Sequence, residues 1–134
     1  MSRFNPHIDQ MRAALRGRSN DDLMAALQRQ LTNLKVAALA ASDTAQYVAA
    51  NSRAEELTGY TAAEIRGLRL EDITPLPITV DAQELWRDFI AQGTQRGEFE
   101  LRPRTGTPIR VRYWAYASVA PGIHVSLLER VDTA

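Results

Sequence analysis

The sequence predicts an α+β fold, a five-stranded antiparallel sheet with short helices and one longer connector helix on one face, preceded by an N-terminal helical extension. Three observations predict it. The first 35 residues carry apolar side chains at helical spacing, and two short apolar runs follow at 36–41 and 46–50. Beyond repeated helix-start signals, the chain closes with three alternating runs joined by tight turns. At 134 residues a single domain is expected, and 45% hydrophobic content is enough to bury one core.

In chain order, Asn5-Pro6 reads as an N-cap with proline at the first helical position. Ile8, Met11 and Leu15 then recur on one face until Gly17 ends the pattern. Ser19, with Asp22 three residues later, opens a second helix on which Met24, Leu27, Leu31 and Leu34 fall at spacings of 3, 4 and 3. Two heptads are too few for a free-standing coiled coil. The stripe must therefore pack on the chain's own globular part or meet a second copy, and a second copy is expected.

Residues 36–41 and 46–50 are strand candidates joined by the polar stretch Ser42-Asp43-Thr44-Ala45. Three helix openings share one grammar, an oxygen-bearing cap with a carboxylate three residues on: Ser52 with Glu55, Thr61 with Glu64, and Asp81 with Glu84. Gly59, Gly67 and Gly93 supply the stops. A further short helix is expected at 70–74, broken by Pro75 and Pro77. Only residues 82–92 make a longer helix, with Leu85, Trp86, Phe89 and Ile90 on one apolar face. After Gly97, runs at 98–102, 109–119 and 123–131 read as a three-stranded meander.

Composition removes whole classes of chemistry. There is no cysteine, hence no disulfide, thiolate nucleophile, cysteinyl cluster or thiol photoadduct, and the redox compartment stays open. Sixteen basic residues, of which only Lys35 is lysine, balance sixteen acidic ones, which argues against a general polyanion binder. No apolar run approaches the roughly 18 residues of a membrane span. Met1-Ser2-Arg3-Phe4-Asn5 carries no apolar signal core, so a cytoplasmic location is expected.

The order of elements, with Ala50-Asn51-Ser52-Arg53-Ala54 leading into Leu57-Thr58-Gly59-Tyr60 and then Glu64-Ile65-Arg66-Gly67, resembles a PAS domain over roughly residues 36–131. The family's pattern is N-x-A, T-G-Y and E-[LI]-x-G; the chain carries the last two as Thr58-Gly59-Tyr60 and Glu64-Ile65-Arg66-Gly67, and the first as N-x-x-A from Asn51 to Ala54. Asn51, Gly59, Tyr60, Glu64 and Gly67 are its structural residues: Asn51 bonds backbone where strand becomes helix, the glycines stop helices, Tyr60 packs between them and Glu64 closes a cap. The resemblance implies residues 1–35 as a dimerisation or capping extension and 36–134 as the PAS domain. It also implies a small apolar cavity between sheet and long helix, and a sensory or dimerisation role in bacterial signalling, linked to transcription regulation or a kinase. The family's Asp-[IV]-Thr output junction is replaced by Arg130-Val131-Asp132. The effector then either lies beyond Ala134, or the domain works alone through its N-terminal helices.

Pocket residues expected from that architecture are Leu85, Trp86, Phe89, Val111, Tyr113, Ala115, Val125 and Leu127. The same residues would equally serve a self-filled core. A dimer interface is expected from Met24, Leu27, Leu31 and Leu34 resting near Trp114 and Tyr116 on the outer sheet face. The resemblance also bears on cofactors. A light-oxygen-voltage flavin site needs a thiol, which is missing. A haem site usually takes a histidine from the long helix, and 82–92 has none. His7 lies in the extension, and His124, alternating with Ile123 and Val125, should point away from the pocket. Non-covalent flavin has no residue arguing for it. No Ser-His-Asp order, phosphate loop or metal-spaced cluster appears, so a non-enzymatic role is expected. Arg102, Arg104, Arg110 and Arg112 make a basic strand surface, for which pairing with Glu98 and Glu100 is the ordinary explanation.

Overall fold

A computed structural model describes residues 4–75 and 81–131. Two helices, α1 (Asn5–Leu15) and α2 (Asn20–Thr32), precede strands β1 (Ala37–Ala41) and β2 (Tyr47–Ala50). Four helices follow, α3 (Ser52–Thr58), α4 (Ala62–Ile65), α5 (Leu70–Ile73) and α6 (Ala82–Gln92), and then β3 (Thr94–Leu101), β4 (Ile109–Ala120) and β5 (Ile123–Arg130). The strands form one antiparallel sheet in the order β2-β1-β5-β4-β3. The expected fold class and element order are both present. No helix among the described residues is long and apolar enough to cross a membrane.

Each face of this sheet carries its own layer, although the outward side chains of β3 stay exposed. On the outer face, Ile8, Met11 and Leu15 of α1 and Leu27 and Leu31 of α2 pack against Tyr116, Val119, Ile123, Val125 and Leu127. The helical stripe therefore meets the chain's own sheet. Leu27 and Leu31, expected at a dimer interface, are completely buried within one chain, while Met24 on the same helix stays exposed. Trp114 is half-buried at the margin of this layer, edge-on to Phe4 with ring centroids 4.9 Å apart. On the inner face, helices α3 to α5 enclose Leu39, Ile65, Ile73, Leu101 and Val111, and α6 covers Ala115 and Ala117 through Phe89.

Caps and turns set the boundaries, with local corrections. Helix α1 has Phe4, not Asn5, at its N-cap, and Pro6 sits in its first turn. Asn51, not Ser52, caps α3. Glu55 instead reaches forward, its Oε2 accepting the Ala62 N–H at 2.7 Å and closing the start of α4 beside the Thr61–Glu64 capping box. Gly59 ends α3 in the left-handed region (φ 77°), which a side chain would strain. Gly97 does not break the chain, because it lies inside β3, which starts directly after Gly93. Glu98 pairs with both Arg110 and Arg112 across the β3–β4 ladder, as the charge pattern predicts.

Asn51 joins the two layers. Its Oδ1 accepts the N–H groups of Ala38 and Ala54, both at 3.0 Å, and its Nδ2 donates to the carbonyls of Leu31 and Val36, both at 2.8 Å. The amide thus uses its full hydrogen-bonding capacity at a buried point where α2, β1 and α3 meet.

Candidate inner cavity

A cavity of about 190 Å³ lies between the inner sheet face and the helices. Its floor follows from strand register. Gln95 of β3 stands opposite Ala115 of β4, and Ala115 stands opposite Ser126 of β5. A small side chain therefore sits between two polar ones, and the space above it is left open. Leu85, Trp86 and Phe89 of α6 form the roof, and Leu70, Ile73, Thr74 and Tyr47 close one end. Phe99 and Tyr113 stand beside the floor with ring centroids 5.6 Å apart. Gly97, the cross-strand partner of Tyr113, gives that ring its room: a methyl group on Gly97 would come within 3.2 Å of it.

The roof is hung from one turn. Trp86 Nε1 donates to the Ser42 carbonyl at 3.1 Å, and the Trp86 ring lies 5.1 Å from Phe89 and 5.7 Å, edge-on, from His124. His124 is buried, its Nδ1 accepting the Ser118 N–H at 2.9 Å and its Nε2 lying 2.7 Å from Asp43 Oδ1. An acceptor at Nδ1 puts the ring proton on Nε2, where it is donated to Asp43. Ser118 presents its N–H from a left-handed kink (φ 53°) where the β4–β5 register shifts. The turn after β1 therefore anchors α6 through Ser42 and β5 through Asp43.

Burial sets the ionisation of the cavity phenols. It pushes Tyr47 well above the ordinary tyrosine value; a hydrogen bond with Thr74 works the other way, and nearby Glu71 and Asp72 add to the rise. Burial alone raises Tyr113. Both are neutral hydrogen-bonding groups near neutral pH. Outside the cavity, Glu64 is held below its usual range first by the Thr61 backbone N–H and then by Arg104, whose guanidinium also lies over the Tyr60 ring. Tyr60 thus packs at the α3–α4 corner.

Five of the eight expected pocket residues line the cavity: Leu85, Trp86, Phe89, Tyr113 and Ala115. Val111 faces inward but is packed among Ile65, Ile73 and Leu101 away from the opening. Val125 and Leu127 are on the other face of the sheet, in the layer under α1 and α2. The inner face of β5 carries His124, Ser126 and Leu128 instead, so His124 points toward the roof helix and not away from it. The cause is that an apolar layer lies on each side of β5, so apolarity does not mark the inner face. Hairpin register would have marked it. The two-residue connection Pro121-Gly122 pairs Ala120 with Ile123, and counting straight along both strands sets Leu127 opposite Tyr116; the register shift at Ser118 moves this by two residues, to Val125 beside Tyr116 and Leu127 beside Trp114, which keeps both on the same outer face. Gln95, Ser126, Tyr47 and Leu39 carried no separate signal in the sequence. Their place depends on which strands become neighbours.

Among the described residues no group of three or more His, Cys, Asp or Glu side chains could hold a metal ion. A second, open cleft of about 750 Å³ runs between the α2–β1 connection and α3, lined by Lys35, Arg53 and Glu56 among others.

Comparison with known proteins agrees with this architecture. The family model described as PAS fold (PAS_4) matches residues 31–122. The PAS domain of an HTR-like protein from Haloarcula marismortui is similar at 13% identity and a TM-score of 0.66, over 83% of this chain and 93% of that one. A domain of the sensory box sensor histidine kinase/response regulator from Geobacter sulfurreducens aligns at 18% identity and a TM-score of 0.64, over 84% and 99%. A LOV protein from Rhodobacter sphaeroides covers 96% of this chain, with 70% of its own length matched, at 14% identity and a TM-score of 0.64. No curated protein sequence matches the chain significantly. With the Asn51 junction, the Thr61–Glu64 box and a sheet of order β2-β1-β5-β4-β3 beneath a connector helix, the chain belongs to the PAS fold family.

Proposed function

We propose that the chain is a non-catalytic sensory module of bacterial cytoplasmic signal transduction that binds a small molecule in the inner cavity. The observation that carries this reading is the hollow above Ala115, roofed by a helix with a single buried residue, Phe89. A filled core would put a large side chain there. Sensor histidine kinases among the proteins of similar fold support a signalling role. Cavities near 150 Å³ take one aromatic ring, so about 190 Å³ favours a compact ligand over haem or flavin. Occupancy would act on α6, and through Trp86–Ser42 and His124–Asp43 on the turn that ties roof to sheet.

Xenon tests the hollow directly. Amide spectra recorded under xenon pressure are expected to shift at Ala115, Ser126 and Phe89. A protein whose spectra stay unchanged there has a filled core, and the ligand-binding reading falls. Homodimerisation is a second reading, favoured by Met24, which α2 leaves exposed beside its covered stripe. Sedimentation of the wild type and of Met24→Glu tests it. A dimer lost in the variant supports pairing through this face, and a monomeric wild type removes it.

A further inference from the structure

We infer that the cavity selects an uncharged, single-ring aromatic molecule bearing a hydroxyl or carbonyl group, with that group held by Gln95 and Ser126; this rests on the ligand-binding reading above. Four observations carry it. No charged side chain lines the cavity among the described residues. An ionised ligand would leave water without a counter-charge, so ions of either sign are disfavoured. Glu71 and Asp72 of α5 act electrostatically on the wall residue Tyr47, which weighs further against an anion. The volume, about 190 Å³, holds one ring with a short substituent.

The fourth observation concerns the walls. Trp86, Phe89 and Phe99 offer ring faces and edges, while Gln95 and Ser126 stand on either side of Ala115 with no protein partner for their side chains among the described residues. A glutamine amide and a serine hydroxyl each both donate and accept. The group that satisfies the pair is therefore neutral and can do the same or accept alone. A purely apolar ring would desolvate both side chains without replacing their bonds.

Calorimetric titration of the full chain with phenol, toluene, benzoate and benzylammonium tests this. Phenol is expected to bind with a Kd of about 0.1–1 mM, in the range for a ligand of so few atoms. It should bind about 2–12-fold tighter than toluene, one neutral hydrogen bond's worth, with benzylammonium weaker and benzoate weakest. In Gln95→Leu/Ser126→Ala the preference for phenol over toluene should vanish while toluene still binds, which also shows that the variant is folded. Benzoate binding as tightly as phenol, or a phenol preference that survives in the variant, overturns the inference but leaves a ligand-binding cavity standing. If none of the four probes binds and xenon leaves the spectra unchanged, the ligand-binding reading itself has failed and the inference with it.

Discussion

The two faces of the sheet are buried by opposite strategies. Under α1 and α2 the outer face is filled by long aliphatic side chains, with Ile8, Leu27, Leu31 and Leu127 showing no exposed surface. Under α6 the inner face meets aromatic rings and small or polar floor residues, and space remains. Close packing maximises dispersion contacts and makes a layer unforgiving, whereas a layer with a void has already forgone them. The outer face is closely packed and the inner face leaves room, and substitutions should separate the two.

The largest effect is expected on the filled side. Leu27→Asp would put a carboxylate without a counter-ion at a position with no solvent access, costing several kcal/mol, comparable to the whole stability of such a domain. Thermal unfolding monitored by circular dichroism should show the variant unfolded or melting far below the wild type. A folded variant that differed only in oligomeric state would mean the stripe serves a second copy after all. Asn51→Ala comes next. It strands the Ala38 and Ala54 N–H groups and the Leu31 and Val36 carbonyls at the junction of both layers, a loss of about 4 kcal/mol by urea denaturation.

The hollow side should respond with the opposite sign. Ala115→Leu adds apolar volume to an open floor and is expected to leave the melting temperature unchanged or higher, whereas the same insertion into a packed core typically costs about 1–3 kcal/mol. Trp86→Phe keeps a ring in the roof but removes the bond to Ser42, a loss of about 1 kcal/mol. Its consequence should be clearer in local opening of α6, read as faster amide exchange, than in global unfolding.

This asymmetry also explains what could be read in advance. Caps and turns are local chemistry, so Thr61 with Glu64, Gly59 and the hairpin at Pro121-Gly122 identified the fold from residues a few positions apart. The roof of the cavity was legible because α6 carries its aromatic residues on a single helical face. The phase of β5 was not legible from hydrophobicity, because α1 and α2 bury the outer face too and reward apolar residues there. His124 carried a signal for that phase, because a buried histidine needs polar partners, and the Ser118 N–H and the Asp43 carboxylate supply them. Gln95 and Ser126 became a pair only through the β3-β4-β5 register.

The smallest effect falls at the cavity's closed end, where stability should depend on alkaline pH. Tyr47 is buried as a neutral phenol and its folded value lies above the unfolded one of roughly 10. Below that value both states hold the proton and the stabilisation is complete. As pH rises through it, the unfolded chain releases the proton while the folded chain keeps it, so unfolding is favoured and stability falls with pH. Tyr113 acts in the same direction. The window is unusually clean, because Lys35 is the only lysine and cysteine is absent. Urea midpoints measured from pH 8 to 11 should therefore decline more steeply for the wild type than for Tyr47→Phe, which also loses about 1 kcal/mol at neutral pH with its bond to Thr74. Parallel declines would mean that the Tyr47 hydroxyl reaches water, and that the cavity is open at the end where Thr74 and Ile73 are expected to close it.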